Sequence, residues 1–79
     1  MKLNEIARNK MVRVVQINNS GSIRRRLFDL GIIKDTEIRC VLESPTHLMK
    51  AYRINETTIA LRENESKDIE VKYIRNKRL

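Results

Sequence analysis

The chain predicts a mainly β fold, a small β-barrel of about five short strands with one short α-helix after the first strand. Three observations lead there. Runs that are β-branched or that alternate apolar with polar residues recur at 11–17, 36–43, 48–54, 58–62 and 69–74. Only one segment, SIRRRLFDLG at 22–31, spaces its apolar residues as a helix does. The 79 residues, with one proline and two glycines, leave room for one small domain with a compact core. A barrel suits so short a sheet because it removes the exposed edges.

The elements follow in order. LNEIA at 3–7 lets Leu3, Ile6 and Ala7 pin a short turn onto the core. MVRVVQI (Met11–Ile17) has apolar side chains on both faces. Asn18-Asn19-Ser20-Gly21 breaks that strand, and Ser22 is the expected N-cap of the helix. At about 100° per residue, Ile23, Leu27 and Leu30 share one stripe of roughly 60°, the buried face. Gly31 is the expected left-handed residue past the helix end, with Ile32 making the contact of a Schellman stop. Lys34-Asp35 then turns the chain.

TEIRCVLE at 36–43 alternates cleanly, with Ile38, Cys40 and Leu42 inward and Glu37, Arg39 and Glu43 outward. Pro45 interrupts the pattern before the third strand. Asn55-Glu56 makes a short hairpin turn into TIALR, where Ile59 and Leu61 point inward. The polar stretch 63–67 reads as one helical turn. Ile69, Val71 and Tyr73 share the inner side of the last strand. Tyr52 shares a strand face with Lys50, and both core and surface stay open for it. The domain is expected over residues 1–74, with 75–79 a basic, flexible C-terminal tail.

The net charge of +7 is unevenly placed. Residues 1–26 carry seven Lys/Arg against one acid, 27–71 carry six against nine, and 72–79 carry four and no acid. A nucleic-acid binder more often spreads its bases along one face or groove. Phe28, Tyr52 and Tyr73 are the only aromatics, too few for an obvious stacking platform. The tail reads as a solubilising end or as a nucleic-acid contact. No apolar run nears the roughly 20 residues that span a bilayer. MKLNEIARNK lacks the apolar stretch of a signal peptide. A lone cysteine, Cys40, fits a reducing compartment, so the expected location is cytoplasmic.

Little here can do chemistry. The chain has one histidine, His47, no glycine-rich phosphate loop and no nucleophile with an evident base. Structural zinc wants four ligands at recognisable spacing. A Cys40/Glu43/His47 site would need Cys40 and Glu43 to share a strand face, and alternation puts them on opposite ones. The expectation is a protein that is not an enzyme and has no metal site.

The helix holds the unexplained charges. With Ser22 as N-cap, Arg24, Arg25 and Arg26 fall in the first turn, where the macrodipole disfavours each by roughly 0.3–1 kcal/mol. Asp29 can pair with Arg25 and Arg26, worth a few tenths of a kcal/mol each. At least one arginine then has a functional reason. Phe28 lies about 100° from Leu27, beside Arg24 and off the buried stripe. An aromatic beside arginine has the form of a partner-binding patch; the plain alternative is that the loop 44–49 folds over Phe28. The candidate partner-binding residues are Arg24, Arg25, Arg26 and Phe28.

Taken together, SIRRRLFDLGIIKDTEIRCVLE, Pro45 and TIALRENESKDIEV resemble the FeoA family of small ferrous iron transport proteins, over about residues 3–71. The most specific part is RRLFDLGI followed by TIALR. Arg25, Arg26, Leu27, Asp29, Leu30 and Gly31 match the helix motif. The resemblance implies an SH3-like β-barrel with the helix laid across it. It also implies a non-enzymatic accessory of bacterial ferrous iron uptake that docks on the cytoplasmic part of the FeoB transporter and modulates Fe(II) transport. Similar domains end iron-dependent repressors, so the alternative is an SH3-like regulatory module that binds nucleic acid or a metal-dependent regulator through its basic ends. Transient Fe(II) or another divalent metal is a family association, with no cofactor or ligand set evident in the residues, and no direct membrane insertion is expected. Lys34-Asp35 departs from the usual proline-glycine, and Asn55-Glu56 from the usual glycine of the hairpin.

Overall fold

The computed structural model describes residues 1–46 and 48–74. A 3-10 turn at Leu3–Glu5 leads into β1 (Met11–Ile17), α1 (Gly21–Asp29), β2 (Glu37–Glu43), β3 (Met49–Ile54), β4 (Thr57–Arg62), α2 (Glu63–Ser66) and β5 (Ile69–Tyr73). The strands form one antiparallel sheet in the order β4-β3-β2-β1-β5. Five strands with a helix after the first are as the sequence predicts. Closure is not complete: β4 and β5 are the two edges and do not pair with each other. Part of the β5 edge is covered by the N-terminal residues instead. Lys2 bridges Glu70, and the Val71 N–H donates to the Met1 carbonyl at 2.8 Å.

The inner face is a continuous apolar layer. Val12, Val14, Ile38, Tyr52, Leu61 and Ile69 are fully or almost fully buried, and Leu3, Ile6, Leu27 and Ile32 close over it. Tyr52 is therefore core. Each such side chain contributes roughly 1.5–3 kcal/mol by leaving water, and small size makes every one count.

Two β-bulges bend the sheet and shift which residues face in. In β1 the register against β5 slips between Val14 and Gln16, and Val15 turns outward. In β2 the register against β3 slips between Cys40 and Leu42. Leu42, expected inward, is 57% exposed for this reason. Glu43, expected on the face opposite Cys40, pairs with inward-facing Lys50 instead. The Lys50 ammonium lies 3.6 Å from the Glu43 carboxylate and donates to the carbonyls of Asn4 (2.8 Å) and Ile6 (3.2 Å). It thereby holds the N-terminal turn down. Tyr73, expected in the core, is 49% exposed, because β5 ends there beyond the filled layer.

The β3–β4 hairpin turns at Asn55 (φ 49°) and Glu56 (φ 70°), the double left-handed geometry of a type I′ turn. His47 and the tail at 75–79 lie outside the described residues.

Candidate functional site

The helix starts earlier than its hydroxyls suggest. Ser20, extended at φ −135° and ψ 172°, occupies the N-cap position in place of Ser22, and its side chain makes no capping bond. Gly21 enters the helix at φ +63°, so the entry depends on a glycine rather than on a hydroxyl cap. The three arginines consequently sit two residues deeper than expected. Arg24 is at the edge of the first turn, and Arg26 belongs to the last, where a cation is favoured. The dipole penalty that the sequence implied falls away.

The far end is as expected. The Ile32 N–H donates to the Leu27 carbonyl and the Gly31 N–H to that of Phe28, both at 2.9 Å, with Gly31 at φ +89°. This is a complete Schellman stop, and Leu27 and Ile32 are both buried beneath it. Ile23 and Leu30 are half-buried against the same core.

Each arginine has a different environment. The Arg24 Nη1 donates to the Ile17 carbonyl at 2.7 Å and the Asn19 carbonyl at 3.5 Å, with its guanidinium 4.8 Å from the centre of the Phe28 ring. Arg26 pairs with Glu65 of α2. The other Glu65 oxygen accepts the Arg62 N–H at 2.9 Å, and the Glu65 carbonyl accepts from the Asn19 amide at 2.9 Å. The expected Asp29 pairs do not form. The Arg25 side chain has neither a hydrogen bond nor a carboxylate partner among the described residues.

Phe28 is 45% exposed, so the described part of the loop 44–49 does not cover it. Its ring stands between two shallow depressions. One, of about 380 Å³, is lined by Val15, Gln16, Ile17, Arg24, Phe28 and Lys34. The other, of about 350 Å³, is lined by Gly21, Arg24, Arg25, Phe28 and Asp29. The face thus combines an aromatic, an exposed valine, an unpaired arginine and a lysine. Val15 and Lys34 escaped the sequence reading. A signal for Val15 existed: the inward positions Val12, Val14 and Ile17 break the two-residue period and require one extra residue between them.

Cys40 is buried, which pushes its thiol pKa up despite the nearby Lys50. Among the described residues no three His, Cys, Asp or Glu side chains could hold an ion together.

The FeoA domain model matches residues 1–73. The chain belongs to the FeoA family. A FeoA-like protein from Clostridium acetobutylicum is similar at 30% identity over all of this chain and 92% of that one, with a TM-score of 0.87. The zinc complex of Stenotrophomonas maltophilia FeoA, a prokaryotic SH3 domain protein, is 29% identical over 91% of this chain and 89% of that one, with a TM-score of 0.80. That protein has been put forward as an activating factor of bacterial ferrous iron transport. A manganese-dependent transcriptional repressor shares the fold alone, at 18% identity over 94% of this chain and 36% of that one, with a TM-score of 0.85. No curated protein matches the chain significantly.

FeoA is a family associated with ferrous iron transport, built on an SH3-like domain and not known as an enzyme family. In this FeoA chain, RRLFDLGI forms α1 and its stop, and TIALR lies in β4. No helix among the described residues is long and apolar enough to cross a membrane.

Proposed function

We propose that this chain is a non-enzymatic, cytoplasmic accessory of bacterial ferrous iron uptake that docks on the cytoplasmic part of a FeoB transporter and modulates Fe(II) transport. The observation that carries the docking face is Arg25. It stands unpaired beside the Arg24–Phe28 stack, on the outward side of the segment most typical of the family. An exposed aromatic held by an arginine is pre-ordered, so it loses little side-chain entropy on binding. Arg24 and Arg26 hold the helix in place as well, which makes Arg25 and Phe28 the informative positions.

The test is a backbone amide NMR titration with the soluble cytoplasmic domain of the same organism's FeoB, at near-physiological salt. Shifts should concentrate at residues 24–28, Val15 and Lys34. Arg25→Glu and Phe28→Ala should each weaken binding by about tenfold or more while leaving the rest of the amide spectrum in place. Unchanged binding by both variants would remove this face from the interaction.

A further inference from the structure

The sheet carries a second cationic surface that the docking helix does not use. Arg39 of β2 and Arg53 of β3 stand directly opposite one another on the outer face of the sheet. Like charges in that position are destabilising unless something neutralises them. Nothing within the described residues does: neither has a carboxylate partner, and Arg53 makes only a long 3.5 Å bond to the Thr58 hydroxyl. Arg39 also lines an open cleft of about 660 Å³ shared with Lys10, Met11, Glu37, Tyr73 and Ile74. Glu37, its one carboxylate, is already engaged by Arg13 at 3.4 Å. The walls are apolar as well as basic, since Met11 is 39% exposed and Tyr73 stands half out of the core.

We propose that this cleft is a docking site for an extended acidic peptide segment that carries an aliphatic residue, supplied by a protein partner. Lys10 and Arg39 in the cleft, with Arg53 opposite Arg39 on the next strand, select carboxylates, and the Met11–Tyr73 wall takes the aliphatic side chain. Charge decides against a second copy of this chain, whose net +7 would be brought against the same sign. Shape decides against a bilayer, because the apolar groups line a concavity rather than project from a convex tip. Aromatic content decides against single-stranded nucleic acid, since Tyr73 has no second stacking partner in the cleft. The cleft shares no lining residue with the depressions beside Phe28. It is therefore separate from the helix face and does not depend on the FeoB reading.

The experiment is an NMR titration of the full chain with the capped peptide EEVEEV, with KKVKKV, oligo(dT) and phosphatidylserine vesicles run beside it. EEVEEV should bind with shifts at Lys10, Met11, Arg39, Arg53 and Tyr73, and its affinity should fall as salt rises. Arg39→Glu should weaken that binding by about tenfold or more, and Tyr73→Ala should weaken it without changing the salt dependence. Arg25→Glu should bind as the parent does, which separates this surface from the helix face. The proposal is overturned if EEVEEV does not bind, if Arg39→Glu binds equally, or if the shifts fall on residues 24–28. Tighter binding of oligo(dT) or vesicles than of EEVEEV would overturn it too.

Discussion

Arg24, Arg25 and Arg26 share one chemistry and one stretch of chain, yet their surroundings give them three roles. Arg24 clamps the end of β1 through two carbonyls and covers Phe28. Arg26 ties α1 to α2 through Glu65, which also caps α2. Arg25 has no ion-pair partner among the described residues. Alanine substitution should separate them in urea unfolding. Arg24→Ala should cost about 1 kcal/mol, the net worth of a typical hydrogen bond, because its bond to Ile17 is exposed to solvent. Arg26→Ala should cost about 0.5 kcal/mol, as exposed ion pairs do. Arg25→Ala should stay within about 0.5 kcal/mol of the parent. A loss at Arg25 equal to that at Arg24 would show that Arg25 is structural and would undercut its place in the proposed docking face. From the sequence alone the three were indistinguishable, because what sorts them is Ile17, Asn19 and Glu65, brought in by tertiary folding.

Among the elements, those defined by local pattern were legible and those defined by a register slip were not. The Schellman stop was readable from Gly31 and Ile32, and the hairpin from Asn55, because both turns are written in adjacent residues. The helix start was not, since a left-handed Gly21 replaced the hydroxyl cap that Ser22 advertised. The β2 bulge left no trace, for Leu42 keeps the alternation as written and is exposed only because Val41 is looped out against β3. The hairpin also contains a correctable strain. Glu56 holds φ 70°, which costs a residue with a Cβ roughly 1 kcal/mol or more, and glycine nothing. Glu56→Gly should therefore stabilise the fold by about 0.5 kcal/mol, after allowing for the greater freedom of glycine in the unfolded chain. Thermal unfolding checks this, and a lower midpoint in the variant would show that the turn does not hold this geometry.

At the scale of the whole molecule, an open sheet of five strands is sealed by parts that a strand count does not reveal. The N-terminal turn closes over the core under Lys50, α2 is tied to α1 through Glu65, and Tyr52 fills the centre. The fold class could be read because hydrophobic period survives in each strand; the seal could not, because it depends on contacts across most of the chain. Tyr52 makes that seal measurable. Burial, opposed only in part by the neighbouring Ser66 hydroxyl, pushes its phenol up to about 12 from 10.0. The folded chain thus keeps a proton that the unfolded chain releases near its ordinary value of about 10. Because the folded value is the higher one, the contribution is complete below about pH 10 and is lost as pH rises towards about 12. Tyr52→Phe has no proton to lose. Urea midpoints of parent and variant, measured across that window, should draw apart in favour of the variant as pH rises, since every other titrating group is common to both. Parallel profiles would mean that Tyr52 ionises as readily folded as unfolded, and that the centre of the sheet is open to water.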